Sequence, residues 1–143
     1  MKVKKLTVKN EPDQLELIRD FIEMLVQEWG LDTGLVFRLN LILEEYIHNL
    51  ISYGFSDQLP HEISLEIMKE GTKLTIHVTD DGNPFDILNF PVNVDIDKPL
   101  EERKIGGLGI HFIKTLADRI DYKSEDNINT LQFVILQSGQ SGG

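Results

Sequence analysis

The stretch DTGLVFRLNLILEEYIHNLISYG, residues 32–54, decides the fold class of this chain. Its aliphatic residues recur at helical spacing. The apolar stripe they form is so broad that the helix is predicted to be central and buried along much of its length. Asp32 and Thr33 are both suited to cap the start of this helix, and Gly54 is suited to end it.

The flanking segments predict a small sheet and two further helices. Residues 61–69 and 74–78 alternate between apolar and polar side chains around Gly71, which is typical of a hairpin. Helices packed on one face of a mixed, mostly antiparallel sheet satisfy the order of elements, so the expected fold is a two-layer α/β sandwich. The other predicted elements are a strand over residues 2–8, a helix from Pro12 to Gly30, a helix after Gly109, and strands over residues 120–124 and 130–136.

Length and composition predict one soluble domain. The 143 residues fit a single domain over residues 1–137, followed by a flexible tail over residues 138–143. Hydrophobic residues make up 41% of the chain, and the absence of cysteine excludes disulfide scaffolds, thiol nucleophiles and cysteine-ligated zinc. No apolar run is long enough to cross a bilayer, so a cytoplasmic protein without a membrane partner is expected.

The formal net charge of −10 limits the ligands that the chain can bind. It argues against direct contact with nucleic acid, because proteins that bind a phosphate backbone usually present a basic face. It also opposes an anionic nucleotide. Such a ligand would need a metal ion and a local cluster of hydrogen-bond donors.

Glu45 and Asn49 lie four residues apart on the predicted central helix and therefore project from the same side. A side-chain amide oxygen suits Mg²⁺, and a nearby carboxylate can deprotonate an attacking hydroxyl. The alternative is that both residues belong to a solvent-facing strip together with Glu44 and His48.

Asp80 and Gly82 follow the second strand of the predicted hairpin. A carboxylate in this position can accept a hydrogen bond from an exocyclic amino group such as that of adenine. A glycine beside it lets a flat ring approach the backbone. The alternative is a simple turn, because Asp-Gly is a common turn dipeptide.

Gly106, Gly107 and Gly109 precede a predicted helix, and bare amides at a helix N-terminus can form a phosphate site. The Lys-Ser/Thr pair that follows the glycines of a P-loop is missing. Arg103 and Lys104, just upstream, can supply positive charge to a phosphoryl group, and the alternative is that they are exposed charges of a lid.

In this order and context, Glu45-x-x-x-Asn49, Asp80-x-Gly82 and the glycine-rich stretch resemble the motifs of the GHKL ATPase superfamily. The local sequences EEYIHN, DDGNPFD and RKIGGLGIH look most like those of the small stand-alone anti-sigma-factor serine kinases. The resemblance covers roughly residues 15–136, nearly the whole chain.

The resemblance implies the Bergerat fold, an α/β sandwich that holds ATP between its helices and its sheet. It implies that Asn49 binds Mg²⁺ and that Glu45 is the catalytic base. It further implies that Asp80 reads adenine with Gly82 beside it. The other residues that it assigns to the nucleotide are Gly106, Gly107, Leu108, Gly109, Arg103, Lys104 and Thr130.

The function implied by the resemblance is that of an ATP-binding anti-sigma regulatory factor with serine/threonine kinase activity. Its expected partners are a sigma factor or similar target and an antagonist protein that it phosphorylates, and a homodimer is suggested. Two positions depart from the family pattern: Tyr53 stands where many relatives have a histidine, and Arg103 and Lys104 only approximate the basic residue near the glycines. The alternative is therefore an ATP-binding interaction module without kinase activity.

Overall fold

The computed structural model describes residues 1–84 and 113–137. A 3₁₀ turn over Pro12–Gln14 precedes the first helix, and residues 113–116 are helical. The start of the helix predicted after Gly109 and the predicted tail lie outside the described residues. The elements are β1 (Lys2–Lys9), α1 (Leu15–Trp29), α2 (Thr33–Tyr53), β2 (Glu62–Glu70), β3 (Lys73–Asp80), β4 (Arg119–Glu125) and β5 (Ile128–Leu136).

These strands form one five-stranded sheet in the order β1-β2-β3-β5-β4. The predicted α/β sandwich is confirmed, and all four strand pairs are antiparallel, whereas a mixed sheet was expected. β5 lies between β3 and β4 and runs antiparallel to β3, so the first residues of β5 pair with the last residues of β3. Asp80 is thereby brought opposite Asn129.

Local signals fix the ends of both helices. Asp32 caps α2, since its Oδ1 accepts a hydrogen bond from the backbone N–H of Leu35 at 2.7 Å, and Thr33 is the first helical residue. Gly30 ends α1 in the left-handed conformation at φ 62°, which a glycine adopts without strain. No helix within residues 1–84 and 113–137 is long and apolar enough to cross a membrane.

The core lies between the helices and one face of the sheet. Every second residue of β3 is buried, and this row ends in a polar residue, Asp80. The same alternation in β5 buries Leu131 and Phe133 and begins with Asn129. The period of two along each strand therefore carries a carboxylate and an amide onto the helix-facing side of the sheet, at the edge of the core.

Candidate functional site

Asp80 lies at the end of β3 with only 3% of its surface exposed. Its Oδ2 atom accepts hydrogen bonds from the backbone N–H of Gly82 at 2.8 Å and from Nδ2 of Asn129 at 3.1 Å. Its Oδ1 atom is buried and has no hydrogen-bond partner among the described residues. Burial raises the pKa of Asp80, and the two hydrogen bonds to Oδ2 oppose that effect.

The unpaired Oδ1 atom makes this carboxylate suited to a ligand. Buried polar atoms are nearly always hydrogen-bonded, because leaving one unpaired costs about 1–3 kcal/mol. A carboxylate oxygen only accepts hydrogen bonds, so the missing group is a donor. The exocyclic amino group of an adenine ring is such a donor, and the residues here fit it.

Asn129 connects β5 with the turn that follows β3. Its Nδ2 atom donates to Asp80 and also to the carbonyl oxygen of Gly82 at 2.9 Å, and its Oδ1 atom accepts from Oγ of Ser124 at 2.6 Å. Only 2% of its surface is exposed. Asp80, Gly82, Asn129 and Ser124 thus form one hydrogen-bonded unit, named the Asp80 cluster below.

Gly82 lies where the end of α2 meets the turn after β3. A Cβ atom built on Gly82 would overlap the carbonyl oxygen of Gly54 and would lie 3.0 Å from Cδ1 of Phe55. The same Gly54 oxygen accepts a hydrogen bond from the backbone N–H of Asn83 at 2.7 Å, so the two segments are fixed at this distance. Only a glycine fits at position 82 without moving the backbone.

Tyr46 is a buried residue of α2, with 2% of its surface exposed. Burial raises the pKa of Tyr46, and the negative charge of Asp80 raises it further. The phenol therefore lies within electrostatic reach of Asp80.

Glu45 and Asn49 lie on the strip of α2 that adjoins Tyr46, and both are partly buried. Neither side chain forms a hydrogen bond or ion pair within residues 1–84 and 113–137. Glu44, by contrast, pairs with Arg19 of α1. The ion pair of Glu44 is partly exposed, so it is compatible with a solvent-facing strip of Glu44, Glu45, His48 and Asn49.

The structure does not bring Thr130 to the Asp80 cluster. Thr130 pairs with Thr79 across β3 and β5, and both are only partly buried because they lie on the opposite face of the sheet from Asp80 and Asn129. The residue that contacts Asp80 is Asn129, which precedes Thr130 in the sequence. Asn129 was not among the site residues predicted from the sequence. The alternation that runs from Asn129 through Leu131 and Phe133 indicates which face of the sheet Asn129 occupies, but not that it pairs with Asp80.

The remaining predicted site residues lie outside the described residues, and their positions stay predictions. They are Arg103, Lys104, Gly106, Gly107, Leu108 and Gly109. Within the part of the chain that the structure describes, no group of three or more His, Asp or Glu side chains is arranged to hold a metal ion.

The family described as histidine kinase-like ATPase domain matches residues 8–135, and the chain belongs to this family. It is 24% identical over 129 residues to serine-protein kinase RsbW of Listeria monocytogenes serovar 1/2a, covering 88% of this chain and 82% of that protein. It is 28% identical over 105 residues to serine-protein kinase RsbW of Bacillus thuringiensis, covering 71% of this chain and 65% of that protein.

Two solved structures share the fold. The structure of the RsbU and RsbW domains of a Mycobacterium tuberculosis protein has a TM-score of 0.68 at 12% identity, covering 95% of this chain and 32% of that one. A histidine kinase domain from Erythrobacter litoralis has a TM-score of 0.54 at 17% identity, covering 90% of this chain and 63% of that one. At these identities the likeness concerns the fold alone.

Proposed function

We propose that this chain is an ATP-binding anti-sigma regulatory factor that acts as a serine/threonine protein kinase on an antagonist protein. The observation that carries the proposal is the buried, unpaired Oδ1 atom of Asp80, which lies beside a glycine that admits no side chain. Membership of the histidine kinase-like ATPase family supports ATP as the nucleotide.

The adenine ring would bind at the Asp80 cluster. Oδ1 of Asp80 would accept its exocyclic amino group. The cluster is preorganised for this contact, since Asn129 and the Gly82 amide already occupy the other carboxylate oxygen. Guanine presents a carbonyl oxygen where adenine presents the amino group, so the site would reject guanine nucleotides by acceptor–acceptor repulsion.

The phosphates would extend toward the Glu45–Asn49 strip of α2 and the glycine-rich stretch. When bound, magnesium–ATP supplies the transferable phosphoryl group and a cation that offsets the phosphate charge. The side-chain oxygen of Asn49 is suited to hold that cation, and a chain with a net charge of −10 needs it. Glu45 would accept the proton of the substrate hydroxyl group.

The nature of the partners follows from the relatives and the resemblance. The two curated relatives described above are named serine-protein kinases, which supports a serine or threonine of a second protein as the phosphoryl acceptor. By the resemblance to anti-sigma kinases, that protein would be the antagonist, and the target held by this chain would be a sigma factor or similar protein. A cytoplasmic homodimer is part of the proposal.

A second candidate function is a regulatory module in which ATP sets partner affinity without phosphoryl transfer. Tyr53 favours it, because it stands where many relatives have a histidine and is 76% exposed. In such a module ATP changes the affinity for the partner only by its differential affinity for the two states of the protein. Transfer of labelled phosphate to an antagonist would separate the two candidates.

Calorimetric titration with ATP, with and without Mg²⁺, tests the proposal. The wild-type protein should bind ATP saturably, and Asn49→Ala should lose the magnesium-dependent part of the affinity. Asn40→Ala is the matched control, because Asn40 lies on the same helix and, among the described residues, its side chain bonds only to Val36 of that helix. At a hundredfold excess of ATP over its Kd, the free energy of unfolding should rise by about 2.7 kcal/mol. Absence of binding by any adenine nucleotide would refute both candidates.

A further inference from the structure

His61 lies between two carboxylates beside the proposed adenine subsite. Its Nε2 atom is 2.7 Å from Oδ1 of Asp57 in the loop between α2 and β2. Its Nδ1 atom is 2.9 Å from Oδ1 of Asp81, which separates Asp80 from Gly82. The side chain of His61 is 15% exposed, whereas the side chains of Asp57 and Asp81 are 46% and 50% exposed.

This geometry selects the protonated form of the ring. A neutral imidazole donates from one nitrogen only, whereas an imidazolium donates from both and satisfies both carboxylates. The hydrogen bond with Asp57 raises the pKa of His61, and the one with Asp81 raises it further against the effect of burial. The same hydrogen bond from His61 lowers the pKa of Asp57.

His61 is anchored to the end of β1 through its backbone. Its N–H donates to Oδ1 of Asn10 at 3.0 Å, and its carbonyl oxygen accepts from the N–H of Asn10 at 3.1 Å. This reciprocal pair of hydrogen bonds joins the residue before β2 to the residue after β1. The imidazole ring is therefore a fixed point from which a neighbouring loop can be positioned.

The imidazole ring of His61 is linked to Gly82 through two neighbouring residues, Phe55 and Asp81. Its face stacks on Phe55 with ring centroids 4.5 Å apart and an interplanar angle of 20°, and Phe55 lies against Gly82. Its edge holds Asp81, the residue immediately before Gly82. One histidine therefore braces the turn after β3 from the loop side, while Asn129 braces it from β5.

We propose that His61 is a positioning residue for the adenine subsite: in its protonated form it holds Asp81 and Phe55, and so the Asp80–Gly82 turn, in the conformation that binds nucleotide. The proposal rests on the proposed function, because the ligand is ATP. His61 itself contacts no part of the nucleotide in this arrangement.

The charges around His61 determine whether protonation of His61 strengthens or weakens the binding of nucleotide. The charged groups facing it are Asp57 in its own loop and Asp81 after β3, and Asp80 is within electrostatic reach. The negative charge of Asp81 disfavours ionised Asp80, and a positive His61 offsets that effect. Because the pKa of His61 is raised above its ordinary value of 6.5, the brace is complete below that value. It is lost as pH rises through the raised pKa.

The first test compares the ATP affinity of the wild type and His61→Gln from about pH 6 to about pH 9. The ratio of the two affinities cancels the titration of the nucleotide and of the groups on which His61 has no electrostatic effect. We expect the wild type to bind roughly fivefold tighter at the acidic end, and this advantage to vanish at the alkaline end. His77→Gln is the control, because His77 faces Glu66 and Gln132 on the opposite side of the sheet and should follow the wild type.

The second test needs no variant. If protonated His61 favours ATP binding, then by reciprocity ATP must raise the pKa of His61, which NMR titration of the imidazole resonances measures directly. A pH-independent affinity ratio, or a pKa of His61 that ATP leaves unchanged, would refute the positioning role while leaving ATP binding in place. Failure of the wild type to bind ATP at every pH would instead refute the proposed function, and this inference with it.

Discussion

Nδ2 of Asn129 donates a hydrogen bond to Oδ2 of Asp80 over 3.1 Å, and it is the only side-chain donor to that carboxylate in the described part of the chain. Together with the Gly82 amide it occupies one carboxylate oxygen and leaves the other, Oδ1, unpaired. A carboxylate held in this way presents a fixed acceptor to a ligand. No further free energy is needed to orient this carboxylate when the ligand binds.

Replacement of Asp80 by Asn tests that acceptor. The Asn side chain keeps one oxygen for Gly82 and Asn129 and turns an NH₂ group toward the place of the ligand amino group. Two donors then face each other, so ATP affinity should fall by about tenfold or more, measured by calorimetry. Asp121→Asn, an exposed aspartate on β4 that pairs with Arg119, is the control and should bind ATP like the wild type. Undiminished affinity in Asp80→Asn would refute the adenine assignment.

The same substitution should change how the stability of the nucleotide-free protein depends on pH. Burial raises the pKa of Asp80 above its ordinary value of 3.8, so ionisation of this group is less favourable in the folded protein than in the unfolded one. Its contribution to the free energy of unfolding is complete below 3.8 and is lost as pH rises through the raised pKa. Urea denaturation at a series of pH values should show this loss in the wild type. It should be absent from Asp80→Asn.

A pair of substitutions on β5 separates the two faces of the sheet. Asn129→Leu removes the partners of Gly82 and Ser124, and it should lower the free energy of unfolding by about 1–3 kcal/mol and weaken ATP binding. Thr130→Val, on the opposite face, should change stability by less than about 0.5 kcal/mol. Urea unfolding followed by fluorescence of Trp29, the single tryptophan, measures both. A larger loss in Thr130→Val would contradict this placement of the two residues.

The elements of this fold could be predicted from sequence because their signals are local. The apolar period of α2, the alternation on both sides of Gly71 and the stop at Gly30 each depend on residues a few positions apart. The choice between Asp32 and Thr33 as the cap needed the backbone geometry, since both side chains can accept the hydrogen bond.

The Asp80 cluster could be predicted only in part, because its members meet through strand order. Asp80 and Gly82 are neighbours in sequence, but Asn129 pairs with Asp80 because β5 inserts between β3 and β4. Nothing local to position 129 indicates that pairing. The role of His61 could not be predicted for the same reason. Asp57 is near His61 in sequence, whereas Asp81 comes from another loop.

A pair of glycine substitutions tests the contact between α2 and the turn after β3. The Cβ atom of Gly82→Ala would overlap the backbone oxygen of Gly54, so the variant should lose about 1–3 kcal/mol of stability and bind ATP more weakly. Gly34→Ala is the control, because its Cβ would lie 3.6 Å from Oδ1 of Asp32, an ordinary contact. Gly34 lies in the first turn of α2, where Ala should raise stability by up to about 0.5 kcal/mol. Thermal and urea unfolding should therefore give shifts of opposite sign, and a stabilising Gly82→Ala would contradict the close contact.

Two neighbouring glutamates on α2 test the catalytic part of the proposal. Glu45→Gln removes the proposed proton acceptor but keeps the size of the side chain, so phosphoryl transfer should slow by about 10²–10⁴-fold while ATP affinity stays unchanged. Glu44→Gln removes only the charge that pairs with Arg19 at the surface, and it should transfer phosphate at the wild-type rate. Initial rates of phosphoryl transfer from γ-labelled ATP to a panel of candidate antagonist proteins from the same organism measure both variants. Transfer by Glu45→Gln at the wild-type rate would remove Glu45 from the reaction, and an equal loss in Glu44→Gln would indicate a defect of the helix and not of a base.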